Sequence, residues 1–171
     1  MFYWISWIVF TAVLLGFTLA RPHPYRFTRF LAFESILSLL FLNARGWFRD
    51  PLSTHQVISW ILLSGSAALA GHAFWLIKSR GQPAGDLEDT TRLITSGAYR
   101  YIRHPLYTSL ILLALGAYLK APSALGVFLA AAAGLGVFLT ARIEERFNLE
   151  RFGDGYREYM EKTSRFIPFV F

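Results

Sequence analysis

Apolar residues run through this chain in long blocks separated by short polar breaks. A helix needs about 20 mostly apolar residues to cross the hydrocarbon core of a bilayer. Phe2 to Ala20 is a first such block, stopped by Arg21-Pro22. A weaker one, from about Phe27 to Ala44, contains Arg29 and Glu34, and a third runs from Val57 to Ile77 and ends at Lys78. Leu106 to Leu119 and Ser123 to Ala141 follow, with only Lys120-Ala121-Pro122 between them. That break is short enough to require a tight helical hairpin with proline at the turn. The pattern predicts an all-α integral membrane protein of about five transmembrane helices, the fourth and fifth forming a hairpin. Phe147, Leu149, Phe152, Tyr156 and Tyr159 then continue at roughly helical spacing, interrupted by Gly153-Asp154-Gly155. They predict two short amphipathic helices on the membrane surface. Residues 1–77 read as N-terminal transmembrane helices. Residues 78–171 hold a loop, the hairpin and the amphipathic segment, all within one integrated membrane domain.

Composition agrees with the bilayer as solvent. Of the 171 residues, 54% are hydrophobic and 16% charged, whereas a soluble chain carries about 25% charged residues. A soluble fold of this size could not hide so much apolar surface. With no cysteine, disulfides, thiolate metal sites and cysteine nucleophiles are excluded. Four scattered histidines, His23 and His55 in short loops among them, show no metal-ligand spacing. The net charge of +6 is spread between apolar runs, which suits anionic headgroups and not nucleic acid. The N-terminus lacks the basic region and small-residue cleavage site of a secretory signal.

Charge also predicts orientation. Segments 21–29, 78–105 and 142–171 hold 3, 5 and 6 Lys/Arg, 14 of the 17, and five crossings put all three on one side. The opposite side keeps Arg45, Arg49 and Lys120. Basic loops stay cytoplasmic, so the N-terminus is expected outside, and the 78–105 loop and C-terminus in the cytoplasm. Tyr3, Trp4, Trp7, Trp47, Trp60, Trp75 and Tyr118 fall near block ends, as interfacial aromatics do. Ala67-xxx-Gly71 and Gly126-xxx-Ala130-xxx-Gly134 are expected to let helices approach closely. Gly134-Leu135-Gly136 is no dinucleotide loop: it lies inside an apolar helix with no strand before it. Glu34 and His72 fall within spans and are expected to face the bundle interior, paired with each other or lining an acceptor tunnel.

The chemistry concentrates in two places. Lys78 to Pro105 is a 28-residue polar loop between spans. Its first part, Gly81 to Asp86, is expected to be flexible. Its second part and the following turn, Leu93 to Tyr107, pack three tyrosines, two arginines and a histidine into fifteen residues. Such density reads either as a binding site or as an interfacial aromatic-basic collar. His104-Pro105 opens the fourth span, and proline suits a first helical turn whose free N–H groups can meet an anion. The second place is Arg142-Ile143-Glu144-Glu145-Arg146, which the hairpin returns to the depth of His104; by itself it could be a solvated helix end.

Thr95-Ser96-Gly97-Ala98-Tyr99, Arg103-His104-Pro105-Leu106-Tyr107, Glu144-Glu145, Phe152-Gly153, Tyr156-xx-Tyr159 and Arg165-Phe166-Ile167-Pro168 stand in an order and spacing that resembles the isoprenylcysteine carboxyl methyltransferase family and its phospholipid methyltransferase relatives. The resemblance covers roughly residues 78–168. It implies an integral membrane methyltransferase that uses S-adenosylmethionine on a lipid or prenylated acceptor. It also implies cofactor contacts at Leu93, Ile94, Tyr99, His104, Pro105, Tyr107 and Glu144. The family's upstream glutamine has only Gln82 as a counterpart, and the arginine of eukaryotic relatives, one turn before the acidic residue, is here Thr140.

These residue types suit the cofactor. Tyrosine faces stabilise a sulfonium cation, a glutamate takes an amino group, and a histidine or helix N-terminus takes a carboxylate. For the acceptor, Arg142 is expected to orient an isoprenylcysteine-like carboxylate, which needs no general base. Glu145, expected on another face of the helix from Glu144, could serve as base for the alternative acceptor, a phosphatidylethanolamine-type amine. A reductase-type or non-catalytic membrane relative is the remaining alternative.

Overall fold

The computed structural model describes residues 2–20, 23–82 and 90–170. The expected stop at Arg21-Pro22 and most of the segment expected to be flexible, residues 83–86, lie outside the described residues. The described residues are helical almost throughout: α1 (Phe2–Ala20), α2 (Arg26–Leu42), α3 (Thr54–Leu76), α4 (Pro105–Tyr118), α5 (Ala124–Phe152) and α6 (Asp154–Lys162). A π-helical turn, Ile77–Gly81, extends α3, and a short 3-10 turn, Gly97–Arg100, precedes α4. Helix starts follow local chemistry. Ser123 caps α5 by accepting the Gly126 N–H at 3.1 Å, and Pro105 stands in the first turn of α4 after a non-helical His104.

Thr54–Gly81 and Ala124–Phe152 are long and apolar enough to cross a bilayer, and Trp4–Ala20 and Pro105–Tyr118 are shorter apolar helices. Large apolar side chains face outward along them, including Ile8 and Phe10 on α1, Ile61 on α3, and Phe128 and Leu135 on α5. A helix satisfies its own backbone, so this outer surface suits hydrocarbon.

The bundle is built on two pairs, α3 with α4 and α2 with α5; α4 also packs on α5 and α2, and α1 packs on α2. Ile36, Leu39, Ala114, Ala117 and Ala133 form one core where α2, α4 and α5 meet. Hydroxyls tie helices where small residues let them close: Ser59 donates to the Gly116 carbonyl and Ser66 to that of Ser109, both at 2.7 Å. Such interhelical bonds are each worth about 0.6–2 kcal/mol in a bilayer.

Several expectations change. The first of the two surface helices does not exist as a separate element: nothing between Ala141 and Phe152 breaks a helix, so α5 continues to Gly153, whose φ of 55° ends it. The small-residue stripes are contact faces only in part: Gly126 is buried against Tyr118 and Ala130 packs on the core, whereas Ala67 is exposed. A side chain at Gly71 or Gly134 would meet nothing within 4 Å, whereas one at Gly136 would run into the Thr28 carbonyl and Ala32 nitrogen of α2 at 2.7 Å. The α2–α5 seam therefore uses Ala133, Gly136, Val137 and Thr140. Glu34 and His72 do not pair. Glu34 accepts from Thr11 at 3.0 Å and Ser38 at 3.3 Å, while His72 Nε2 accepts the Ala98 N–H at 3.3 Å. Lys120, in the break of the predicted hairpin, is buried, only 2% exposed.

Candidate functional site

The loop from Thr90 to His104 folds back over the end of α5 and encloses a cavity against α6. The fold-back is locally determined. Gly97 has φ 61°, and a side chain there would meet His72 Nε2 at 2.6 Å and Leu76 at 2.7 Å. Only glycine lets the loop lie this close to α3. From the other side the C-terminal segment clamps it: the Arg103 N–H donates to the Ser164 carbonyl at 2.9 Å, the His104 N–H to that of Arg165 at 3.2 Å, and the Thr108 hydroxyl to that of Phe166 at 3.1 Å.

Leu93, Ile94, Tyr99, His104, Tyr107 and Glu144 all line this cavity, with Leu106 and Ile77 on its apolar wall. Six of the seven residues expected to contact a cofactor thus meet. The seventh, Pro105, is buried at the start of α4. Tyr107 Oη donates to Glu144 Oε2 at 2.6 Å across 37 residues of sequence, and the Tyr107 ring stacks on His104 at 5.4 Å. Gln82 has no place in the cavity lining; its carbonyl accepts the Thr91 hydroxyl at 2.9 Å.

Arg103, Asn148, Phe152, Tyr156 and Tyr159 complete the walls, although the sequence had assigned them no contact. Asn148 lies four residues beyond Glu144, hence on the same helix face, and Tyr156 and Tyr159 share one face of α6; that spacing was the available signal. Tyr159 Oη donates to the Tyr99 carbonyl at 2.6 Å, which ties α6 to the loop. Burial pushes the phenols of Tyr99, Tyr156 and Tyr159 up, and for Tyr99 the nearby Glu144 charge adds to it. The rings therefore stay neutral and present π faces.

Arg142 and Glu145, the residues expected to serve the acceptor, do not line this cavity. Arg142 is exposed, its guanidinium 5.9 Å from the Phe138 ring. Glu145 is 4% exposed and is surrounded by donors. It accepts from Arg103 Nε at 2.8 Å and from Arg165 Nη2 at 2.8 Å, and stands 3.3 Å from His104 Nε2. Arg103 also donates to the carbonyls of Met160 and Thr163. The adjacent acids thus divide between the cavity and a buried ionic knot behind it, because successive positions on a helix point about 100° apart. Thr140 lies within hydrogen-bond distance of Thr28 and of the Gly136 carbonyl, so it is a helix-packing position. Among the described residues no group of acidic, histidine or cysteine side chains could hold a metal ion.

Comparison with known proteins agrees with the region so constructed. The chain is 30% identical over 121 residues to methanethiol S-methyltransferase 1 of Bradyrhizobium diazoefficiens, covering 68% of this chain and 41% of that protein. It is 36% identical over 85 residues to a probable protein-S-isoprenylcysteine O-methyltransferase of Oryza sativa, covering 48% of this chain and 44% of that protein. The chain spans less than half the length of these curated relatives. The family model described as phospholipid methyltransferase matches residues 54–155, from the start of α3 into α6 and therefore across most of the cavity. On that match, the chain belongs to the phospholipid methyltransferase family, a family of membrane methyltransferases.

Proposed function

We propose that the cavity binds S-adenosylmethionine and that the protein transfers its methyl group to a lipophilic acceptor. The observation that carries this reading is the Glu144–Tyr107 pair inside a cavity walled by tyrosines. The cofactor carries a sulfonium cation, an amino group and a carboxylate, and the donor set suits each. Tyr99, Tyr107, Tyr156 and Tyr159 would face the cation, Glu144 would accept from the amino group, and His104 and Arg103 would lie towards the carboxylate. Bound there, the cofactor supplies an electrophilic methyl group on sulfur. The protein's own part is to hold the acceptor in line with that methyl and keep water out, and alignment alone supplies a large share of such an acceleration.

The acceptor favoured first is an isoprenylcysteine-like or other amphipathic carboxylate, which arrives ionised and needs no base. Both acids are engaged: Glu144 accepts from Tyr107, and Glu145 is held by Arg103, Arg165 and His104. A thiol, the acceptor in the name of the Bradyrhizobium relative, would react as thiolate and lose a proton first. So would the ammonium of a phospholipid; that second reading is supported by the family description, with Glu145 then the residue to remove its proton. Arg142, near the end of the apolar stretch of α5, is the residue proposed to orient a carboxylate. The further proposal on topology is five crossings, with the 78–105 loop and the C-terminus cytoplasmic. Reporter fusions after Ala20, Gly85 and Phe171 test it, and opposite sides for the last two would overturn it.

The decisive experiment titrates the purified protein with labelled S-adenosylmethionine, then offers a prenylated cysteine analogue and phosphatidylethanolamine separately. Saturable binding and base-labile release of methanol from the first product are expected. A stable N-methyl lipid with no ester would promote the phospholipid reading; absence of cofactor binding would end both.

A further inference from the structure

A second cleft opens at the foot of the α1–α2 pair, outside the residues that the family model matches. Its walls divide by chemistry. Leu14, Phe17 and Phe33 make an apolar side, and His23, Arg26 and Arg29 a basic one. The basic groups are organised on aromatic rings. His23 stacks on the buried Tyr25 at 5.3 Å, nearly parallel, and the Arg29 guanidinium stands 5.3 Å from the same ring. Arg26 lies 4.7 Å over Phe27.

This cleft is anchored to the cofactor cavity. Thr28 donates to the Tyr25 carbonyl at 2.9 Å, and the Thr140 hydroxyl lies 2.8 Å from that of Thr28. One turn beyond Thr140 on α5 stands Glu144. Between the two spaces a third runs past Tyr25 and Phe147; it shares His23 with the basic cleft, and Glu144 and Asn148 with the cavity. The three spaces are therefore neighbours, with shared lining residues running from the α1–α2 cleft to Glu144.

We infer that the α1–α2 cleft is an entry site that holds the acceptor, an acid carried on a long alkyl or prenyl chain, before Arg142 orients its carboxylate for transfer. The chain would lie along Leu14, Phe17 and Phe33, and the acid would lie on Arg26, Arg29 and His23. Guanidinium groups suit oxyanions because they donate in a fixed fork. A basic cleft beside an apolar wall also has little to gain from a ligand without negative charge. The inference rests on the methyltransferase reading for what happens next, since the cleft neighbours the cavity through residues that both share with the space between them.

The test uses the full chain in nanodiscs of phosphatidylcholine and a diazirine-bearing fatty acid as photoprobe, with labelled positions mapped by mass spectrometry. Labelling is expected between residues 14 and 33, displaced by unlabelled laurate and by an unreactive alkyl phosphate, but not by acetate. The double variant Arg26→Gln/Arg29→Gln should weaken labelling by more than about tenfold, the effect of losing even one charged hydrogen bond. Arg26→Lys/Arg29→Lys should restore most of it, which separates charge from folding. Both variants should keep the wild-type titration curve for S-adenosylmethionine, so failure here is distinct from failure of the cofactor site. Equal labelling of the glutamine variant, or labelling outside this segment, overturns the site. The alkyl phosphate should also inhibit methyl transfer competitively with the acceptor; displacement of the probe with transfer undiminished would mark a bystander lipid site and overturn the assignment to acceptor.

Discussion

Each end of the bundle buries a charge, and the two are handled differently. At one end Lys120, between α4 and α5, points its ammonium at the Trp60 ring, 3.5 Å from the centroid, and donates to Gln56 Oε1 at 3.1 Å. Gln56 in turn donates to the carbonyls of Gly46 and Lys120. Burial lowers the lysine's affinity for its proton, and neutral partners and π faces offset that. At the other end Glu145 is matched by two guanidiniums and a histidine. The Lys120 cluster closes on itself and latches a turn. The Glu145 cluster holds Arg103 and His104, which are walls of a cavity. A buried charge therefore adjoins the candidate site only where the groups that neutralise it also border open space.

Four measurements can break or sharpen that contrast. The largest effect is expected from Glu145→Ala. Stranding buried cations by removing their partner costs about 3–5 kcal/mol, so thermal unfolding in detergent should shift strongly and cofactor binding should fall with it. Little change in either would remove the knot's structural role. Next comes Glu144→Gln, which should weaken S-adenosylmethionine binding by about 1–3 kcal/mol with the unfolding midpoint nearly unmoved. An unaltered titration would end the cavity assignment.

Lys120→Met, which keeps the aliphatic stem but strands Gln56 Oε1, should cost about 1–2 kcal/mol of stability and leave cofactor affinity at its wild-type value. A loss of affinity would mean that the two ends are coupled. The smallest effect is alkaline. Tyr99, Tyr156 and Tyr159 have folded pKa values raised above the unfolded value of about 10. Their contribution is therefore intact below that pH and declines as pH rises beyond it. Unfolding midpoints should fall above pH of about 10, and a Tyr159→Phe variant should fall less steeply over the same window.

Much of this was legible in the residues. The helices begin and end close to where apolar runs, Ser123, Pro105 and Gly153 said they would, and the blocks around His104 and Glu144 do meet. The exceptions have physical causes. The continuation of α5 through Phe152 was hidden by amphipathic spacing that reads equally well as a separate helix. The last position of the α5 stripe was misjudged because Gly134 and Gly136 differ by two residues, about 200° around the axis, and only the partner's position says which one is covered. Tyr156 and Tyr159 looked like a surface face until the cavity they close was in view.

Local sequence determined where the helices lie, the proline that opens α4 and the serine that caps α5, because run length, caps and turn residues act within a few positions. Tertiary structure alone decided that Glu144 faces the cavity while Glu145 faces Arg103 and Arg165, that Thr140 is a packing residue, and that Lys120 is buried. Those outcomes depend on the rotation of α5 against α2 and α4. Contacts between residues far apart in sequence, such as Gly136 with Thr28 and Ala32, set that rotation.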